Sequence, residues 1–142
     1  MTTKEYLNQI SRLDKVINNK MTEILQYREL AFGLSAVSSD IKVRTSPKMD
    51  RIGNAMARLE RMEQQLDEMI DCYVDKKNHI IAQIDALEDE MFYQVLFARY
   101  IEKKTFEKIA IELNYSLRQI SRVHESALAE FEGQFGSEYL DS

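Results

Sequence analysis

One stripe of side chains limits what this chain can fold into more than any other feature. Ile52, Met56, Leu59, Glu63, Leu66, Ile70, Tyr73, Lys77, Ile80, Ile84, Leu87 and Met91 succeed one another at steps of four and three without a slip. Side chains at that spacing share one face of an α-helix. Sustained over several heptads, with Glu63 and Lys77 as polar interruptions, the pattern is that of a coiled coil. A helix from Pro47 to residue 91 would be roughly 65 Å long at ~1.5 Å per residue. Such a helix cannot stand alone in water. Its seam has to pack on another helix of the chain, on a second copy, or on both.

A partner stripe lies earlier in the chain. Thr3 opens it, and Tyr6, Ile10, Leu13, Ile17, Ile24, Tyr27, Ala31 and Leu34 continue it, with one slip at Lys20-Met21. Residues 35–46 break the pattern with Ser, Asp and Thr, and Ile41 and Val43 there suggest a short extended piece. Ser46-Pro47 restarts it, because Ser is a favoured N-cap and Pro suits the first helical position. Residues 1–91 therefore read as a long antiparallel helical hairpin or coiled coil. The earlier stripe is the shorter one, so the seam near residues 80–91 is left for the C-terminal part or a partner. One Pro and four Gly in 142 residues supply little turn-forming material. The expected fold class is all-α.

Met91–Tyr100 is the most apolar stretch and predicts a joining helix, with Phe92, Val95, Leu96, Arg99 and Tyr100 packed under the two C-terminal helices. Next, Phe106, Ile109, Ala110 and Leu113 share one face of a short helix, for which Thr105 is an N-cap without a capping box. Asn114 tolerates a left-handed backbone and can end that helix. Ser116 can cap the next one. The second helix, about 117–128, buries Ile120, Val123 or His124, Ala127 and Leu128. Its opposite edge carries Arg118, Gln119, Ser121, Arg122 and Glu125. Two short helices across a tight polar turn describe a helix-turn-helix, whose second helix enters the DNA major groove. Patterning alone fits a plain helical hairpin equally well.

The order of residues adds to this. Arg99-Tyr100, then Ile109-Ala110 ahead of Leu113, the Asn114-Tyr115-Ser116 turn, Ile120 and Ala127-Leu128 together resemble region 4 of sigma-70-type factors. Asn114 stands where that family usually has Gly, a departure compatible with the same backbone. The resemblance spans residues 92–132 and implies a DNA-reading unit. Its recognition positions fall on Arg118, Gln119, Ser121 and Arg122. Arg and Gln suit that role, Arg pairing with guanine and Gln with adenine. Lys103, Lys104, Thr105, Lys108 and Ser116 are placed to meet the DNA backbone, which orients a protein without specifying sequence. The wider layout has Lys42–Asp50 ahead of the long heptad helix and the region 4-like end behind it. It is similar to small proteins of phages and prophages of Gram-positive bacteria, among them the RinA- and ArpU-type regulators of late phage genes and a related family without assigned function.

Charge is distributed unevenly. The net charge is -5, wrong for a protein held on DNA by bulk electrostatics, yet residues 93–128 hold six basic against four acidic side chains. A modest, salt-sensitive DNA affinity is expected unless a dimer or another protein assists. Single Cys72 excludes an internal disulfide framework and suits a reducing compartment. Charges throughout the first twenty residues argue against a signal peptide, and no run of eighteen apolar residues suggests a membrane span. A cytoplasmic protein is expected.

Other candidate sites are weak. Cys72, Asp75 and His79 share a helix at ligand-like spacing, but no fourth ligand is evident, and a buried thiol beside a solvated imidazole is the plainer reading. Asp85, Glu88, Asp89 and Glu90 read as a solvated face of the continuous long helix. The methionines near the seam read as core. No phosphate loop or nucleophile-base constellation appears, so neither an enzyme nor a cofactor or metal is expected. The expected function is a DNA-binding transcriptional regulator, acting as a homodimer through the coiled coil, with residues 133–142 as a flexible tail. Two alternatives remain: a DNA-packaging protein resembling a small terminase subunit, and a module that docks on RNA polymerase without touching DNA.

Overall fold

The computed structural model describes residues 1–33 and 46–141, apart from the side chains at 46–48. All of the regular structure in these residues is helical, with no strand among them. Helix α1 spans Thr3–Arg28 and ends in a π-helical turn at Glu29–Gly33; α2 spans Ser46–Asp85. Then come α3 (Glu90–Leu96), which runs on into a π-helical segment (Phe97–Ile101), α4 (Phe106–Leu113) and α5 (Leu117–Phe135). The extended piece expected at Ile41 and Val43, the segment Lys42–Thr45 and the Ser46 cap lie outside the described residues.

The long helix stops earlier than its heptads do. The amides of Ala86 and Leu87 donate back to carbonyls three and four residues earlier, closing α2. Asp89 then caps α3, its carboxylate accepting from the amides of Met91 and Phe92 at 2.9 and 3.2 Å. Carboxylates are favoured at a helix N-terminus, where unpaired N–H groups point outward. The acidic run is thus a helix start rather than one face of a continuous helix. The periodicity survives the break because Leu87, in the turn, is still buried. Burial sets the spacing of apolar residues whether or not the backbone remains helical.

The chain forms two compact units, residues 1–14 with 73–142, and residues 15–72. In the first unit, Tyr6, Leu7 and Ile10 of α1 and Ile80, Ile84 and Leu87 from the α2 end pack on Leu96, Tyr100, Ala127, Leu128 and Phe131. The late part of the seam is therefore consumed by the C-terminal helices. A smaller core of Val95, Ala98, Ile109, Ala110 and Ile120 holds α3, α4 and α5 together.

The described C-terminal residues, 133–141, are folded onto the rest of their unit. Helix α5 runs seven residues past Leu128, and a short 3-10 turn at Gly136–Glu138 comes after it. Tyr139 is buried against Tyr6, with ring centroids 4.2 Å apart. Its hydroxyl meets the Thr3 hydroxyl at 2.8 Å. Glu138 accepts from Gln83 Nε2 at 2.8 Å and lies 3.0 Å from His79 Nε2. Gln83 in turn accepts from the Tyr6 hydroxyl at 2.6 Å. A polar exterior hid this anchoring from the sequence, since one aromatic among polar residues shows no period.

In the second unit, α1 and α2 run antiparallel. Arg28 pairs with Glu63 at 3.1 Å, and Arg58 lies over the Tyr27 ring at 5.3 Å. Only Ile17, Ile24 and Met62 are buried there among the described residues, while Val16, Met21, Leu25, Ile52, Met56 and Ile70 are exposed. Two helices alone cannot cover both flanks of a heptad seam. Cys72 is exposed rather than buried, and no three His, Cys, Asp or Glu side chains converge as metal ligands among the described residues. No helix of the described residues is long and apolar enough to cross a membrane.

Candidate nucleic-acid interface

The turn between α4 and α5 is built by its own residues. Thr105 Oγ1 accepts from the Lys108 amide at 3.2 Å and starts α4. Asn114 ends it at φ 60° and ψ 41°, the left-handed conformation expected there, with its amide donating back to Ala110 and Ile111. Ser116 and Gln119 form a reciprocal capping box: Ser116 Oγ accepts from the Gln119 amide at 3.1 Å, and Gln119 Oε1 accepts from the Ser116 amide at 2.9 Å. The turn is therefore pinned at both ends. Because only Gly and Asn adopt the left-handed region at low cost, Asn114→Ala should lower stability by about 1 kcal/mol. Asn114→Gly should not. Urea midpoints of the two variants check this.

This cap aims α5. Ile120, His124, Ala127, Leu128 and Phe131 are buried, and Val123 is only partly covered, so His124 rather than Val123 fills the inner position. Arg118, Arg122 and Glu125 fall on the opposite stripe at spacings of four and three. Arg118 and Arg122 are exposed and have no hydrogen-bonding or ionic partner among the described residues. Gln119 and Ser121 sit on opposite flanks of that stripe. Gln119 Oε1 accepts the Ser116 amide in the capping box, which holds the side chain against the turn and leaves one Oε1 lone pair and the Nε2 donors for other partners.

Candidate backbone contacts divide in the same way. Lys103, itself in a left-handed conformation, pairs with Asp14 of α1. Lys104 lies 2.7 Å from Glu112 and 3.4 Å from Glu102, and the hydrogen bond to Glu112 holds its ammonium above the ordinary lysine range. Both cations are thus partly neutralised within the chain. Lys108 is exposed and unpaired among the described residues. Thr105 and Ser116 use their oxygens as acceptors, which leaves each hydroxyl proton free to donate to a phosphate. Three exposed apolar side chains flank the turn, Ile111, Tyr115 and Leu117, and Ile111 is 77% exposed. Their outward position was not evident from the two helical patterns.

Beneath α5, a polar pair sits in the core. Tyr100 Oη and His124 Nε2 are 2.7 Å apart. Burial, the largest cause, lowers His124 from 6.5 to about 4, with Lys4 and Arg99 acting in the same direction against Glu125. Burial likewise pushes the Tyr100 phenol up to about 12. Nδ1 of His124 faces Glu125 Oε1 at 3.9 Å. A proton on Nδ1 is favoured by that carboxylate, which makes Nε2 the acceptor of the phenol proton. His124 is therefore a neutral structural group.

Its burial makes stability depend on pH. The unfolded chain takes up a proton near pH 6.5, whereas the folded chain resists until about 4, so stability is fully present above pH 6.5 and falls as pH drops toward 4. The loss over that window should reach about 3 kcal/mol. Urea midpoints across the window, with His124→Gln losing that part of the pH dependence, check it.

Comparison with protein-family models, curated proteins and solved structures finds no match for the chain.

Proposed function

We propose that this protein is a sequence-specific DNA-binding regulator of transcription, with α5 entering the major groove. The observation that carries this reading is the capped turn that leaves Arg118 and Arg122 side by side, exposed and unpaired, in the first turns of α5. Those turns are the part of a recognition helix that meets base edges. The resemblance to sigma region 4 supports the same assignment, and the wider layout's similarity to RinA- and ArpU-type proteins implies a phage or prophage regulator. Arg118 and Arg122 read bases in this account, with Ser121 at the flank. Lys108 and the hydroxyls of Thr105 and Ser116 contact phosphates. Lys103 and Lys104 contribute less than their charges suggest, since carboxylates already hold them.

The protein acts as a homodimer. The apolar side chains left exposed on α1 and α2 within residues 15–72 support this, because a second pair of helices would cover them. A second reading, docking on RNA polymerase, has the exposed Ile111, Tyr115 and Leu117 in its favour.

Light scattering of the full chain, alone and with duplex fragments at low and moderate salt, tests the proposal. A dimer that binds one fragment selectively is expected. A large ring would move the reading to DNA packaging, and a chain that binds no fragment would move it to the polymerase.

A further inference from the structure

The first turns of α1 lie against α5, more than a hundred residues away along the chain. Lys4 Nζ is 3.8 Å from Glu125 Oε1, both side chains largely exposed. Lys4, Asn8, Arg99, Ser121 and Glu125 then line a hollow of about 150 Å³ together with the buried Tyr100 and His124 and the half-buried Phe106. Arg99 is held in place there: its Nη1 donates to the Lys104 carbonyl at 3.1 Å, and its guanidinium lies over the Phe106 ring at 4.4 Å. Two cations, an amide and a hydroxyl therefore converge on one side of the recognition helix, with Glu125 as the single opposing charge.

The position matters as much as the charge. Glu125 is seven residues beyond Arg118 on the same stripe, which is about 10 Å along the helix axis. A recognition helix meets base edges with its N-terminal residues, so with Arg118 at the bases the later turns of α5, where Lys4 stands beside Glu125, lie farther from the bases and nearer the flanking backbone. We infer that Lys4, with Asn8 and Arg99 around the hollow, seats a backbone phosphate of the bound duplex, so that α1 clamps the DNA α5 reads. This rests on the DNA-binding reading above and adds to it a contact from the far end of the chain. Lys4 is held less closely than Lys104, 3.8 Å from Glu125 against 2.7 Å for Lys104 and Glu112, so it turns to a phosphate more readily, and the repulsion from Glu125 is offset by Arg99.

The test is the salt dependence of binding by the full chain to its selected duplex. Removing one phosphate contact lowers the slope of log affinity against log salt by about 0.9. Lys4→Ala should show that change and weaken binding several-fold on specific and unrelated duplexes alike. Because Lys4 also masks Glu125, the same substitution is made in a Glu125→Gln background, where a true phosphate contact still changes the slope. If Lys4→Ala changes nothing there, Lys4 only screens a carboxylate and the inference fails. If Lys4→Ala leaves the slope unaltered while Arg118→Ala with Arg122→Ala removes specific binding, the clamp is wrong and the regulator reading stands. If neither set alters DNA binding, the regulator reading itself falls. Inorganic phosphate titrated without DNA separates the sources: saturable binding that needs Lys4, with an unchanged slope on duplexes, would overturn the duplex as the ligand.

Discussion

Replacing Arg118 and Arg122 together with Ala is expected to abolish selective DNA binding while leaving the helical content of the protein unchanged. A bidentate contact to guanine contributes ~1–3 kcal/mol of discrimination, so losing two removes ~2–6 kcal/mol. At ~1.4 kcal/mol per tenfold, that is between about thirty-fold and about twenty-thousand-fold in preference for the selected site. The fold should not respond. Both side chains are exposed and unpaired among the described residues, and Ala is as good a helix former as Arg. Fragment binding measured by anisotropy, alongside circular dichroism, checks both halves. Selective binding that survives the double substitution would show that α5 does not read the groove. Residual binding that is weak, unselective and steeply salt-dependent would be the phosphate contribution that Lys108 and the capping hydroxyls supply.

Phe131→Ala should destabilise the unit of residues 1–14 and 73–142 by about 3–5 kcal/mol. Its side chain is fully buried. Its ring lies 5.0 Å from Phe135, 6.0 Å from Tyr6 and 6.3 Å from Tyr139, centroid to centroid, so truncation opens a cavity among aromatic rings from both ends of the chain. Small domains are stable by only ~5–15 kcal/mol in total, so the variant should show a large fall in its urea midpoint. A loss below about 1 kcal/mol, as for a surface side chain, would mean that the end of α5 and the Tyr139 anchor are not packed in solution. The consequence for DNA binding is indirect but readable. Arg118 and Arg122 are presented by the same helix, so affinity should fall with the folded fraction and recover under stabilising conditions.

The local structure of the candidate interface was legible in the order of its residues. Thr105, Asn114 and Ser116 carry their conformational preferences in their own side chains and neighbouring backbone, so the caps and the turn could be read without knowing anything distant. The apolar periods likewise identified the inner faces of α4 and α5 and the all-helical class. Packing settled the rest, and for a common physical reason: these outcomes depend on what a residue meets across the chain. Leu87 keeps the heptad register yet lies in a turn, because the core fixes burial and not backbone conformation. Tyr139 carries no period, and only its stacking on Tyr6 turns an apparent tail into an anchored end. Lys103 and Lys104 look like free cations in the sequence until Asp14, Glu102 and Glu112 are placed beside them. Lys4 looks like a surface lysine until the fold sets it against Glu125. Charge is long-ranged but pairing is short-ranged, so which cations remain available to a phosphate is settled only when the helices pack.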